Sequence, residues 1–272
     1  MDSRLSARLS LFSILLGLGI LAPSRAIAQQ VSDDWKISAT IYGWFPDIGG
    51  TTSFPSGAGG TIDVDVSTIL DHLKMTAQGS FEIHKGHWGG FTDIVYLDVG
   101  EAKSQTRNLE IGGQPLPAAV TADVDFDLKS VFWTFGGSYR VVDNDGATFD
   151  VLLGARLASF KQTLEWEFTG NFGAVTPPPL TGSREESVDQ WDAIVGAKGR
   201  LAFGAEHNWV VPYYFDIGAG DSDLTWQGMV GLAYAFDWGD VGVAWRYLDY
   251  DLDGSIADMN FNGPALGATF RW

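Results

Sequence analysis

The chain has 272 residues, of which 45% are apolar and only 19% charged, with 34 Gly, 11 Trp, no Cys and a formal net charge of −17. This profile excludes a disordered acidic tail, nucleic-acid binding through a basic surface, thiol catalysis, thiolate zinc sites and disulfide frameworks. Abundant Gly and Trp beside sparse helix-forming Lys, Glu and Gln point to a large β protein with aromatic bands.

Residues 1–28 read as a secretory signal peptide. Arg4 and Arg8 open it, an apolar stretch runs from Leu9 to Ala22, and Ala26-Ile27-Ala28 is a small-residue cleavage pattern. Ser10, Ser13, Gly17 and Gly19 interrupt the stretch, which is short for a membrane-spanning helix. Cleavage after Ala28 removes three Arg and one Asp, which leaves residues 29–272 at a formal charge of −19 as one domain.

From there period two dominates. Trp35, Ile37, Ala39 and Ile41 share one strand face. In the next strand Leu73, Met75, Ala77, Gly79, Phe81 and Ile83 oppose Lys74, Thr76, Gln78, Ser80, Glu82 and His84. Phe91, Asp93, Val95 and Leu97 share a side in a strand near 88–99, and a strand near 124–142 changes phase at Ser130, as a bulge would cause. The alternation continues through Phe149 to Leu157, Trp191 to Leu201, Trp209 to Phe215, Leu224 to Phe236, Val241 to Tyr247 and Leu266 to Trp272.

Short turns at 85–87, 143–146, 205–208 and 237–240 alternate with longer connections at 46–72, 100–122, 170–187, 218–222 and 253–260. The predicted fold is therefore all-β, a transmembrane antiparallel up-and-down β-barrel of about ten strands, with eight or twelve also compatible. Ile62-Asp63-Val64-Asp65-Val66 supplies an extra strand or a flap over the mouth. A soluble barrel turned inside out shows the same alternation, but the polar face here carries Gly154, Gly196, Gly231, Ala233, Ala235, Gly242, Ala244 and Gly267, small residues suited to a crowded lumen. Trp35, Trp88, Trp209 and Trp272 sit on the apolar face beside the short turns, where indoles straddle hydrocarbon and headgroup.

Several runs carry a family resemblance: Ile41-Tyr42-Gly43-Trp44, Trp88 through Leu97, Ile194 through Arg200, Asp223 through Gln227, Trp245 through Tyr250 and Gly263 through Gly267. The chain resembles the Gram-negative outer-membrane β-barrel proteins, in particular porin-like and surface-antigen-like members. Its ending, with Leu266, Ala268, Phe270 and Trp272 on one face, is similar to the signal such barrels present to their assembly machinery. The resemblance implies a location in the cell outer membrane, with outer-membrane lipid, lipopolysaccharide and the barrel assembly machinery as partners, and it transfers no catalytic residue. Pro212 inside a strand departs from the pattern and predicts a local bulge.

With this phase, Glu82, His84, Asp93, Arg156, Asp192, Lys198, Arg200, Asp216, Arg246 and Arg271 point into the lumen. Charges of both signs in a low-dielectric interior call for pairing, so the expected arrangement is an ion-pair network that plugs the barrel, in preference to a narrow cation-preferring pore. A third reading is hydrolysis at the rim through His72 near Ser67 and Asp71, although no nucleophile-elbow motif accompanies them. Asp249, Asp251, Asp253 and Gly254 follow the opening of a calcium-binding loop, but Asn260 stands where a bidentate Glu is needed, and a strand with solvated alternate Asp residues explains the run better. The remaining acids, among them Asp63, Asp123, Asp125, Asp127, Glu185, Glu186, Asp221 and Asp223, map to an acidic outer rim. The expectation is a structural or surface-interaction barrel, not an enzyme, with no cofactor.

Overall fold

The computed structural model describes residues 34–52, 60–64, 73–104, 110–111, 114–115, 120–170, 180–252 and 256–272. The segment 1–28 read as a signal peptide, together with His72, Ser67, Asp65, Asp71 and Asp253, lies outside the described residues. Among the described residues fourteen strands run in chain order as β1 Trp35–Trp44, β2 Asp47–Thr52, β3 Gly60–Val64, β4 Leu73–Lys85, β5 Trp88–Ser104, β6 Glu110–Ile111, β7 Gln114–Pro115, β8 Val120–Asn144, β9 Ala147–Gly170, β10 Leu180–Phe203, β11 Trp209–Gly220, β12 Leu224–Phe236, β13 Gly239–Asp251 and β14 Ile256–Arg271. Ten of them, β1, β4, β5 and β8 to β14, form one antiparallel sheet that closes through pairing of β1 with β14. The expected strand number and topology are thus present. The segment around Ile62 is the additional strand β3, which pairs with β2, and β2 in turn pairs with the far end of β14.

Four tight connections define the turn end of the barrel. Gly86 takes φ +60° in the turn between β4 and β5, and the Asn144 side chain accepts the Gly146 and Ala147 N–H groups at 3.0 and 2.8 Å in the turn between β8 and β9. At the opposite, loop end the strands run further than the alternation suggested. Much of 170–187 is strand, because β9 reaches Gly170 and β10 starts at Leu180.

β8, β9 and β10 have 25, 24 and 24 residues, about twice the 9–11 residues a tilted strand needs to cross a bilayer. Their burial explains the apparent phase change at Ser130. Below the cross-strand row Trp133, Leu157 and Trp191, apolar side chains such as Leu153 and Val195 point outward and are exposed. Above it the outside carries exposed Lys129, Lys161 and Glu185, while Leu128, Phe132 and Phe160 are buried inside. The pairing runs through this point without a shift, so the expected bulge at Ser130 is absent and it is the surroundings of the strand that change. The bulge in β8 lies instead between Arg140 and Val142, next to the turn.

The outward belt of the turn-end half exposes Ile41, Phe81, Ile94, Leu153, Val195, Val230, Val243 and Leu266, far more contiguous apolar area than a soluble monomer tolerates. Aromatic rings border it. At the turn end Trp209, Tyr234, Phe236, Trp238, Phe270 and Trp272 form a chain of ring contacts with centroid separations of 5.0–6.5 Å. At the other border Trp133 meets Trp191 at 6.5 Å and Trp226 stacks on Tyr247 at 4.7 Å. Two girdles around an apolar band are what a barrel facing hydrocarbon requires.

Pro212 produces no bulge. β11 keeps its register against both β10 and β12, and the ladder to β12 lapses only between Val210 and Tyr213. Glycine is required where neighbouring backbones leave no room for a Cβ. Gly136 and Gly154 face each other on β8 and β9, and a Cβ on Gly154 would run into the Phe135 carbonyl. Gly154→Val is therefore expected to block closure, read as loss of the fast-migrating, heat-modifiable band on a denaturing gel, whereas Val at exposed Leu153 leaves that band in place.

Candidate functional site

The lumen is the only region where these elements bring chemistry-bearing side chains together among the described residues, and it is layered. Near the loop end an apolar layer crosses it. Phe132 of β8 meets Phe261 of β14 at 4.8 Å, Phe160 of β9 meets Tyr250 of β13 at 5.7 Å, and Trp44 of β1 meets Phe261 at 6.3 Å. Leu97, Leu248, Leu252 and Met259 fill between these rings, and all are buried.

Beneath it lies the deepest charged layer. Arg156 pairs with Asp216, both fully buried, and donates to Thr134 Oγ1 at 3.1 Å and Thr225 Oγ1 at 3.2 Å. Arg246 donates to Asp93 Oδ2 at 3.0 Å, Tyr42 Oη at 2.8 Å and Gln227 Oε1 at 2.9 Å, while its guanidinium lies 4.7 Å from the Trp44 ring centroid. Tyr42 in turn donates to Asp93 at 2.5 Å. Because β1, β5, β12 and β13 all contribute, this cluster ties together distant parts of the wall.

Towards the turn end Lys198 pairs with Glu82 at 2.7 Å and sits 4.8 Å from the Phe91 ring centroid. Arg140 grips Asp150 with two hydrogen bonds of 2.7 and 3.0 Å, and His84 lies 3.6 Å from the same carboxylate. Arg271 pairs with Asp240 at the mouth.

Eight of the ten charges expected in the lumen thus belong to the ladder, and two do not. Asp192 is buried, but its carboxylate accepts the backbone N–H and hydroxyl of Ser222 at 3.0 and 2.7 Å, so it caps the connection between β11 and β12. Arg200 lines the lumen without an ion pair among the described residues. The alternation overlooked Arg140, Asp150 and Asp240, which fall beside turns or a bulge, and it overlooked Tyr42, Thr134, Thr225 and Gln227, which supply neutral partners. It also overlooked the aromatic layer, which occupies inward positions where only polar residues were sought.

Of the calcium-loop candidates, Asp249 accepts from Tyr247 Oη at 2.9 Å on the outer side of β13, whose neighbours Leu248 and Tyr250 point inward. The rim acids are partly engaged as well. Asp221 caps the Trp191 N–H at 2.9 Å, and Glu185 pairs with Lys161 at 2.9 Å. Leu266, Phe270 and Trp272 of the terminal signal face outward into the belt.

Between the deep charged layer and the turn end the lumen holds a cavity of about 890 Å³. Rim residues Lys36, Asp145, Glu206, His207 and Trp272 show that it opens at the turn end, and Thr134, Gln227 and Arg246 close it at its inner end.

The structure matches the outer-membrane protease OmpT of Escherichia coli with a TM-score of 0.50 at 8% identity, covering 88% of this chain and 97% of that one. The fold is that of a Gram-negative outer-membrane β-barrel. The attachment invasion locus protein Ail of Yersinia pestis matches at 12% identity with a TM-score of 0.31, over 88% of this chain and 99% of that one. The translocator domain of the autotransporter NalP of Neisseria meningitidis matches at 11% identity with a TM-score of 0.29, over 99% and 95%. No family model matches this chain, and no curated protein sequence does.

Proposed function

We propose that this protein is an exported, integral outer-membrane barrel with a structural or surface-interaction role and a lumen closed to solute flow, and that it is not an enzyme. The exposed apolar belt between two aromatic girdles supports the membrane placement. The charged outer face above the row Trp133, Leu157 and Trp191 supports an orientation in which the loop end stands in water beyond the lipid, with the turns on the periplasmic side.

The observation that carries the closed lumen is the aromatic layer. Phe132, Phe160, Tyr250 and Phe261 arise from opposite walls, touch one another and are buried at 0–1% exposure, which supports a lumen without an aqueous path at that level. A protruding, charge-bearing upper barrel filled by this layer suits a surface for partners better than a conduit. Planar-bilayer recording of the refolded, signal-free chain is expected to give no reproducible single-channel steps. Steady steps with cation preference would overturn the reading in favour of a narrow pore.

A further inference from the structure

We infer that the turn-end cavity is a binding site for a small oxyanion, a molecule bearing a carboxylate or phosphate, anchored by Arg200. The inference goes beyond the closed-lumen reading, and the two fail separately, since conductance tests the aromatic layer and binding in detergent tests the cavity.

The volume of about 890 Å³ lies within the range of ordinary small-molecule sites. The space has a local cause. Inward positions of β12, β13 and β14 carry Ala233 opposite Gly242, Gly242 opposite Gly267, and Ala244 opposite Ala265, so this wall sends almost no side chain into the lumen. The facing wall is filled by Phe91, Leu152, Ile194, Lys198 and His84.

The lining carries six cations and seven carboxylates, with Asp145 and Glu206 at the rim, and five of the cations have a carboxylate within ion-pair reach, Lys36 through Asp143. Lys198 has Glu82, Arg140 has Asp150, Arg246 has Asp93 and Arg271 has Asp240. Arg200 has none within ion-pair reach among the described residues. The acid acting on it is Asp143, which is already shared by Lys36 at 3.3 Å and Arg140 at 3.8 Å. Its cross-strand neighbours Pro212 and Thr148 bring no carboxylate. A half-buried guanidinium with no carboxylate within ion-pair reach leaves its fork open, and that planar fork fits carboxylate or phosphate oxygens in pairs.

His84 lines the same cavity and is 95% buried, with Nε2 3.6 Å from Asp150 and 3.9 Å from Glu82 and neither ring nitrogen in a hydrogen bond. Phe91, Met229 and Ala233 also line the cavity and supply apolar surface for the rest of the molecule.

The test uses the refolded barrel in an uncharged maltoside detergent, with benzoate and inorganic phosphate as probes and benzamide as the uncharged counterpart of benzoate. Isothermal titration is expected to show one saturable site for benzoate, for phosphate or for both. Binding by phosphate alone narrows the class to phosphates, and binding by benzoate alone narrows it to carboxylates with an apolar body. Benzamide is expected to bind at least tenfold more weakly than benzoate. Arg200→Gln weakens binding at least tenfold, Arg200→Lys retains part of it, and Lys129→Gln on the outer surface changes nothing. Methyl NMR of methionine keeps the test independent of any variant's folding. The probe shifts the Met229 signal at the cavity and leaves Met259, inside the aromatic layer, in place. No saturable binding of either anion, equal binding of benzamide, full binding by folded Arg200→Gln, or an unmoved Met229 signal overturns the proposal.

Discussion

Phe132→Ala lowers the unfolding free energy of the barrel by about 3–5 kcal/mol, the range for removing a large aromatic side chain from a packed interior. The site is suited to a loss near the upper end. Phe132 touches Phe160, Tyr250 and Phe261, drawn from three other strands, and the sheet carrying these rings is closed, so the walls have little freedom to collapse into the void. Removing Phe160 as well is expected to cost less than the sum of the two single losses, because the rings share partners. Denaturant titration of the refolded protein, followed by tryptophan fluorescence, gives the energies. A Phe132→Ala barrel as stable as the parent would mean that these rings do not pack as the structure has them.

Arg156→Met is expected to destabilise the barrel by about 3–5 kcal/mol, since it strands a fully buried Asp216 carboxylate without its counter-ion. Thr134 and Thr225 lose their shared donor at the same time. The double variant Arg156→Met with Asp216→Leu recovers most of this loss, because an apolar pair of similar volume avoids the desolvation of both charges. A double-mutant cycle from denaturant unfolding measures the coupling. If the double variant is as unstable as the single one, the pair contributes net stability, and the deep layer is held together by charge where apolar packing would serve less well. Arg246 differs, because it serves three partners on three strands and its loss frees Asp93, Tyr42 and Gln227 together.

Barrel closure and strand number were legible because period two is a property of the backbone, and the four tight turns punctuate it without ambiguity. Eight of ten lumen charges followed from the same parity. Asp192 and Arg200 show its limit: parity says that a side chain points inward but not what it meets. Asp192 meets a hydroxyl from a connection thirty residues away, and Arg200 lines the cavity with no ion pair among the described residues. The rings of Phe132, Phe160 and Phe261 were hidden for a different reason. Hydrophobic pattern reports the contrast between two faces, and the sign of that contrast depends on which solvent surrounds the strand. Reading every apolar side as outward holds below the row Trp133, Leu157 and Trp191 and fails above it. The phase change ascribed to a bulge at Ser130 was this reversal.

That reversal also means that one continuous sheet is stabilised by two unlike driving forces. The upper part removes apolar side chains from water, which carries a large positive heat capacity of unfolding, whereas the lower part exchanges contacts with hydrocarbon for contacts with whatever receives the unfolded chain. The upper part therefore loses stability on cooling as well as on heating, while the lower part depends on the thickness and composition of the surrounding amphiphile. Because β8, β9 and β10 pass through both regions without a break in pairing, neither part melts without straining the other, and changes in temperature and in lipid become linked variables for a single fold.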